Sequence, residues 1–116
     1  MLGEALNWGA FSDEGRCLGH AILAQSAPGE AEIAFFVHQS FRCRRLGTRL
    51  VSTALAAARD LRCQRVWASV RADNVPALRL LRGRGFGRSH LSFPTVELEL
   101  LMEQRQAVAL RAAARA

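Results

Sequence analysis

The sequence predicts an α/β domain: a mixed, mostly antiparallel sheet with one central parallel β-α-β crossover and two helices. Three observations carry this. Short apolar stretches bounded by turn residues recur along the chain, as strands require. Apolar residues at three- and four-residue spacing appear after residue 45 and again after residue 75, as amphipathic helices require. Strand, helix and strand then follow in order from Ile33 to Val70, and such a crossover sets its two strands parallel.

The first two strands are Ala5 to Phe11 and Cys17 to Gln25, with Ser12-Asp13-Glu14-Gly15 as the hairpin turn between them. Ser26 to Glu30 is a second turn. Ala31 to Val37 is nearly continuous in apolar character, the mark of a central strand, with Glu32 as its polar intruder. His38 to Arg45 reads as a basic loop. Leu46, Leu50, Ala54, Ala57, Ala58 and Leu61 then define one helix face, ending near Leu61 or Arg62. Val66, Ala68 and Val70 alternate in a short strand. Asp73 and Asn74 are caps for a second helix that starts near Pro76 and ends at Gly83 and Gly85. Phe86 to Leu91 and Val96 to Leu101 are the last two strands. Residues 1–102 are expected to form one domain, and 103–116 an Ala/Arg-rich tail.

A chain of 116 residues fits one domain, and half of its residues are apolar and spread throughout, which excludes a disordered chain. No apolar run reaches membrane-span length, and the N-terminus lacks a basic leader pattern, so the expected compartment is the cytoplasm. Cys17, Cys43 and Cys63 are odd in number and widely spaced; isolated thiols are expected, with no metal site. The formal charge is +6, and all sixteen basic residues are Arg. Genome composition alone produces such a bias; the functional alternative is an anionic partner, because guanidinium groups bind phosphate in a bidentate fork.

The junction between the third strand and the first helix concentrates this chemistry. A helix N-terminus leaves N–H groups unpaired and carries partial positive charge, so it seats anions. Arg42-Cys43-Arg44-Arg45-Leu46-Gly47-Thr48 adds guanidinium groups, a Gly for close approach and a hydroxyl. On residues alone, a pyrophosphate cradle and a solvated basic loop capping a core helix are equally open.

This loop resembles the cofactor-binding motif of the GNAT (general-control-type N-acetyltransferase) superfamily, Gln/Arg-x-x-Gly-x-Gly/Ala. Arg42 takes the first position and Gly47 the last, while Arg45 stands where the pattern has its central Gly. Downstream, Asn74-Val75-Pro76-Ala77-Leu78-Arg79-Leu80-Leu81-Arg82-Gly83-Arg84-Gly85-Phe86 is similar to the family's Asn-x-x-Ala-x-x-Leu-Tyr-x-x-x-Gly-Phe at Asn74, Ala77, Leu80, Gly85 and Phe86. Leu81 replaces the Tyr. The resemblance covers residues 31 to 86. It is finer and weaker towards GNAT domains of bacterial protein-lysine acetyltransferases.

The resemblance implies a GNAT-like fold lacking the usual N-terminal strand and helices. A homodimer contact, a separate partner or a longer native chain would then cover the exposed sheet edge and apolar face. It implies acetyl-CoA as cofactor and an amine acceptor, protein lysine or small amine, acetylated by direct transfer. Phe36 and Val37, at the splayed end of the central strand, would meet the pantetheine arm and thioester. Arg42, Arg44, Arg45, Leu46, Gly47 and Thr48 would hold the pyrophosphate, and Asn74 would lie towards the thiol. Glu32 is the candidate base, and a structural Glu paired with an Arg or facing solvent is its alternative. No Tyr is present to protonate the leaving thiolate. Two other readings remain: a non-catalytic coenzyme A-binding or regulatory domain, and a basic nucleic-acid module, for which no recognition motif is visible.

Overall fold

The computed structural model describes residues 5–38 and 45–102. They form strands β1 (Ala5–Phe11), β2 (Cys17–Ala27) and β3 (Glu30–Val37), helix α1 (Leu46–Asp60), strand β4 (Arg65–Arg71), helix α2 (Val75–Gly83), and strands β5 (Gly87–Ser92) and β6 (Thr95–Leu101). The six strands make one sheet in the order β1-β2-β3-β4-β6-β5. Among the described strands only β3 and β4 are parallel; every other pair is antiparallel. The mixed, mostly antiparallel α/β architecture is the one the sequence predicts.

Several boundaries shift by one or two residues from the sequence reading, and two of the shifts have clear local causes. β2 runs on to Ala27, because the turn tightens to Pro28-Gly29 with Gly29 at φ 75°, where a side chain is disfavoured. β5 starts at Gly87 because Phe86 is spent on the core; its N–H bonds back to the Leu81 carbonyl and its ring is buried.

Strand alternation sorts the sheet into two faces. Leu23, Ala31, Ile33, Val66, Ala68, Val70, Val96 and Leu98 point to one face and pack against Val51, Ala54, Leu55 and Ala58 of α1 and Leu78 and Leu81 of α2. Both helices therefore cover the same side. The helix face of α1 is rotated slightly from expectation. Val51 and Leu55 join the core, whereas Leu61 caps the helix and is 61% exposed. The opposite face carries no helix among the described residues. It is not uniformly apolar: Ile22, Ala34 and Phe36 lie on its β2–β3 side, and Arg65, Glu97 and Glu99 on its β4–β6 side.

The sheet consists of two antiparallel ribbons joined by a short seam. β3 pairs with β2 through Val37, and β4 pairs with β6 through Arg71. Between the ribbons, pairing covers only Glu30↔Arg65, Ala31↔Val66 and Glu32↔Trp67. Each strand then follows its own antiparallel neighbour, and the two separate. The closed end of this splay is pinned. Arg65 reaches Glu30 of β3 at 3.6 Å, Glu97 of β6 at 3.3 Å, and hydrogen-bonds Glu99. The Trp67 indole N–H donates to Ser26 Oγ at 3.0 Å, tying β4 to β2 across β3.

Cys63 is buried and Cys17 is exposed, both as free thiols; burial pushes the Cys63 thiol pKa up. Cys43 lies outside the described residues, as does the 103–116 tail. No helix among the described residues is long and apolar enough to cross a membrane.

Leu81 is fully buried where α2 meets the sheet. Leu81→Ala should cost about 2–5 kcal/mol, the range for emptying a packed leucine site. Urea unfolding measures it, and a loss within error of zero would contradict this packing.

Candidate functional site

The open end of the splay leads into a cleft of about 640 Å³ between the sheet and the two helices. Phe35, Phe36 and Val37 of β3 form one wall. Arg45, Leu46, Gly47 and Thr48, at the start of α1, form the second. Asn74, Pro76, Ala77, Arg79 and Leu80, on α2 and its cap, form the third. Among the described residues no acidic side chain lines it.

The backbone of β3 is the first functional element. The His38 N–H donates to the Leu18 carbonyl of β2 at 2.7 Å, and the Gly29 carbonyl faces β4, accepting from the Gln64 N–H at 2.7 Å. Backbone polar groups alternate along a strand, so those of Phe36 point to β2, and those of Phe35 and Val37 point towards β4. At that level β4 has already moved away. Phe35 and Val37 therefore present N–H and C=O groups to the gap in the pattern of a sheet edge, ready for an added extended chain. Ser69 does the same from β4, whereas the Arg71 carbonyl turns to accept from the Asn74 N–H at 3.0 Å.

The second element is the N-terminus of α1. The first helical N–H groups have no partner within a helix. Among the described residues no side chain caps them, and no acidic residue stands in the first turn. Arg45, the N-cap residue, lies at φ 59° and ψ 14°, in the left-handed region. That is the conformation a glycine adopts freely; here Arg45 adopts it and adds a charge. The result is an open anion seat carrying helix-terminal positive potential and a guanidinium. Thr48 turns its backbone into this seat from the first turn.

Gly47 has a second reason to be glycine. A Cβ there would lie 2.9 Å from Leu80 Cδ1 and 3.4 Å from Val37 Cγ2, so α1, α2 and β3 close on one another at this residue. Substitution at Gly47 would disturb packing as well as any ligand.

The other expected residues divide clearly. Asn74 lines the cleft, but its Oδ1 accepts from the Ala77 N–H at 3.4 Å, capping α2. Arg42 and Arg44 lie outside the described residues. Glu32 does not line the cleft. It is half-buried at the apex of the splay, the last β3 residue paired with β4, on the face away from the helices. Leu81, at the family's Tyr position, points into the core at 0% exposure and offers the cleft nothing. Phe35 and Arg79 line the cleft without having been singled out in the sequence. Phe35 was concealed by a uniformly apolar strand, and Arg79 is one Arg among sixteen with no pattern to distinguish it.

A model of the acetyltransferase (GNAT) family matches residues 2–86. No curated protein sequence matches the chain. Among solved structures, the chain is similar to nourseothricin acetyltransferase (18% identity, TM-score 0.78, 87% of this chain and 67% of that one). It is also similar to the GNAT domain of PAT from S. lividans (20%, 0.77, 84% and 61%). A third is YncA from Salmonella typhimurium, solved with its cofactor acetyl-CoA (18%, 0.71, 80% and 62%). At these identities the likeness is one of fold. The chain spans roughly three-fifths to two-thirds of the length of these three proteins.

The left-handed residue before α1 is directly testable. Arg45→Gly should fold at least as stably as the wild type. Arg45→Val, β-branched at positive φ, should lose about 1 kcal/mol or more. Thermal unfolding of both variants measures this, and a Val variant as stable as the wild type would contradict the conformation.

Proposed function

The chain belongs to the GNAT acetyltransferase family, and we propose that it transfers acetyl from acetyl-CoA to an amine by direct transfer. One observation carries the reading: the unpaired backbone of Phe35 and Val37 and the uncapped, guanidinium-flanked start of α1 line the same cleft. The first suits an extended amide chain, the second a diphosphate, and the apolar walls between them suit a pantetheine arm.

The N–H groups of Leu46, Gly47 and Thr48, with Arg45, hold the diphosphate. Phe35 and Val37 bond the pantetheine amides as an added strand would. The Val37 N–H, nearest the mouth of the splay, is the donor placed to polarise the thioester carbonyl; Phe36 contributes its ring rather than its N–H. Acetyl-CoA, when bound, supplies an electrophilic carbonyl carbon and a thiolate leaving group. The acceptor nitrogen must be unprotonated to attack, and a lysine-type amine has a reference pKa of about 10.4. Glu32, at the apex of the splay and open to the outer face, takes that proton, through water where the amine does not reach it directly. Whether the amine is a protein lysine or a small molecule is decided by whatever covers the outer face.

A non-catalytic coenzyme A-binding domain is the second reading. It is favoured by Leu81, whose burial leaves no acid at the position where the family resemblance puts its Tyr.

Thr48→Glu separates folding from binding. A carboxylate in the first turn complements the helix dipole and should add about 0.3–1 kcal/mol to stability. The same charge occupies the anion seat, so calorimetric affinity for acetyl-CoA should fall at least about tenfold. Unchanged affinity in this folded variant would sink the cofactor site. Glu32→Gln then divides the two readings. For the enzyme it should lower kcat by about 10²-fold or more with acetyl-CoA affinity unaltered. Tight binding with no turnover by the wild type on an amine panel would favour the binding domain.

A further inference from the structure

We infer that Arg79 recognises the ribose 3′-phosphate of coenzyme A and makes the site discriminate against cofactors lacking it. This rests on the acetyl-CoA reading and goes beyond it, because the diphosphate seat at α1 does not involve Arg79. Arg79 is exposed on α2 and lines the same cleft as Arg45, from the opposite wall. Its level along the cleft is fixed by its neighbour. Leu80 Cδ1 would lie 2.9 Å from a Cβ on Gly47, so α2 crosses the first turn of α1 at this height. Arg79 therefore stands across the cleft from the first turn of α1, where α1, α2 and β3 approach one another.

The charge balance there is incomplete. Among the described residues the ion pairs of Arg side chains involve Arg65 and Arg71 only, so neither Arg45 nor Arg79 has a carboxylate partner. Two like charges share a cleft whose described lining holds no acid, alongside a helix N-terminus of the same sign. A ligand with two separate anionic groups satisfies all three. The nucleotide end of coenzyme A has that form: a diphosphate, and a phosphate monoester on the far side of the ribose. The diphosphate takes the α1 N–H groups and Arg45, which adjoin in the chain. The monoester is left for the guanidinium on the other wall, whose planar fork matches two phosphate oxygens at once.

Calorimetric titration of the full chain with coenzyme A and with 3′-dephospho-coenzyme A, at one low ionic strength, tests this for the wild type and Arg79→Ala. The wild type should bind coenzyme A about tenfold more tightly than the dephospho form, as expected for one charged hydrogen-bonding pair at a partly screened site. Arg79→Ala should abolish that preference and leave the dephospho affinity unaltered. Equal wild-type affinity for both ligands would overturn the assignment while leaving the cofactor site standing. So would an Arg79→Ala variant weakened equally towards both, which would make Arg79 a diphosphate ligand. Wild type that binds neither ligand would overturn the acetyl-CoA reading, and this assignment with it.

Discussion

The site depends on a parallel seam that stops early. Three residue pairs join the two antiparallel ribbons, and from Glu32 and Trp67 onward each strand keeps its antiparallel partner and abandons the other. Sheets twist, so two fully paired ribbons sharing one short edge diverge as they extend. The closed end is reinforced by Arg65 bridging Glu30, Glu97 and Glu99 and by the Trp67–Ser26 bond. These pairs are partly exposed, and their value lies in holding the seam's register more than in stability. A longer ladder would consume the N–H and C=O groups of Phe35 and Val37. The functional backbone exists because pairing ends where it does.

The second half of the site follows from what the first turn of α1 lacks. α2 begins with a capping Asn74 and Pro76 in its first turn, an arrangement that satisfies and shapes a helix start. α1 begins with a left-handed Arg45 and, among the described residues, no side-chain cap and no acidic residue in its first turn. Both helices rest on the same sheet face, and the contact of Gly47 with Leu80 and Val37 brings the open N-terminus beside the splay. Local strain and unsatisfied donors at α1 are stabilised by the shared core beneath them, which includes Val51, Ala54, Leu78 and Leu81. Rigid packing thus positions polar groups that do not stabilise the fold themselves.

Much of this was legible in the sequence because it is written in local pattern. Turn residues at Ser12–Gly15, the apolar run of β3, the helix face from Leu50 to Ala58 and the Asn74 cap each act through near neighbours. Gly47 was legible as a close-approach residue, though its contact with Leu80 was not, since that contact joins two helices distant in sequence. The end of the β3–β4 ladder has no local signature. Nor does the direction of a given N–H, which turns Phe36 towards β2 and Val37 towards the gap; one residue of register reverses both. Leu81 was legible as the loss of a Tyr, but its place in the core depends on the rotation of α2. Arg79 shows its importance only where two helices bring it opposite Arg45.

The family resemblance rests on residues at the helix starts and in the core, while on the proposed reading acceptor choice rests on the face that both helices leave open. That face is apolar beside the splay, at Phe36 (55% exposed), Ile22 and Ala34, and charged beyond β4. On the proposed reading, the cofactor half of the reaction falls to this sheet and its helices, and the acceptor half is not defined by them. Amide hydrogen exchange, read residue by residue by NMR with and without coenzyme A, tests the central claim most directly. Bound coenzyme A should slow exchange at Phe35, Val37 and Leu46–Thr48 while leaving the amide of Phe36, already bonded to β2, unaltered. Saturable binding that leaves Phe35, Val37 and the first turn of α1 exchanging as in the free chain would contradict it.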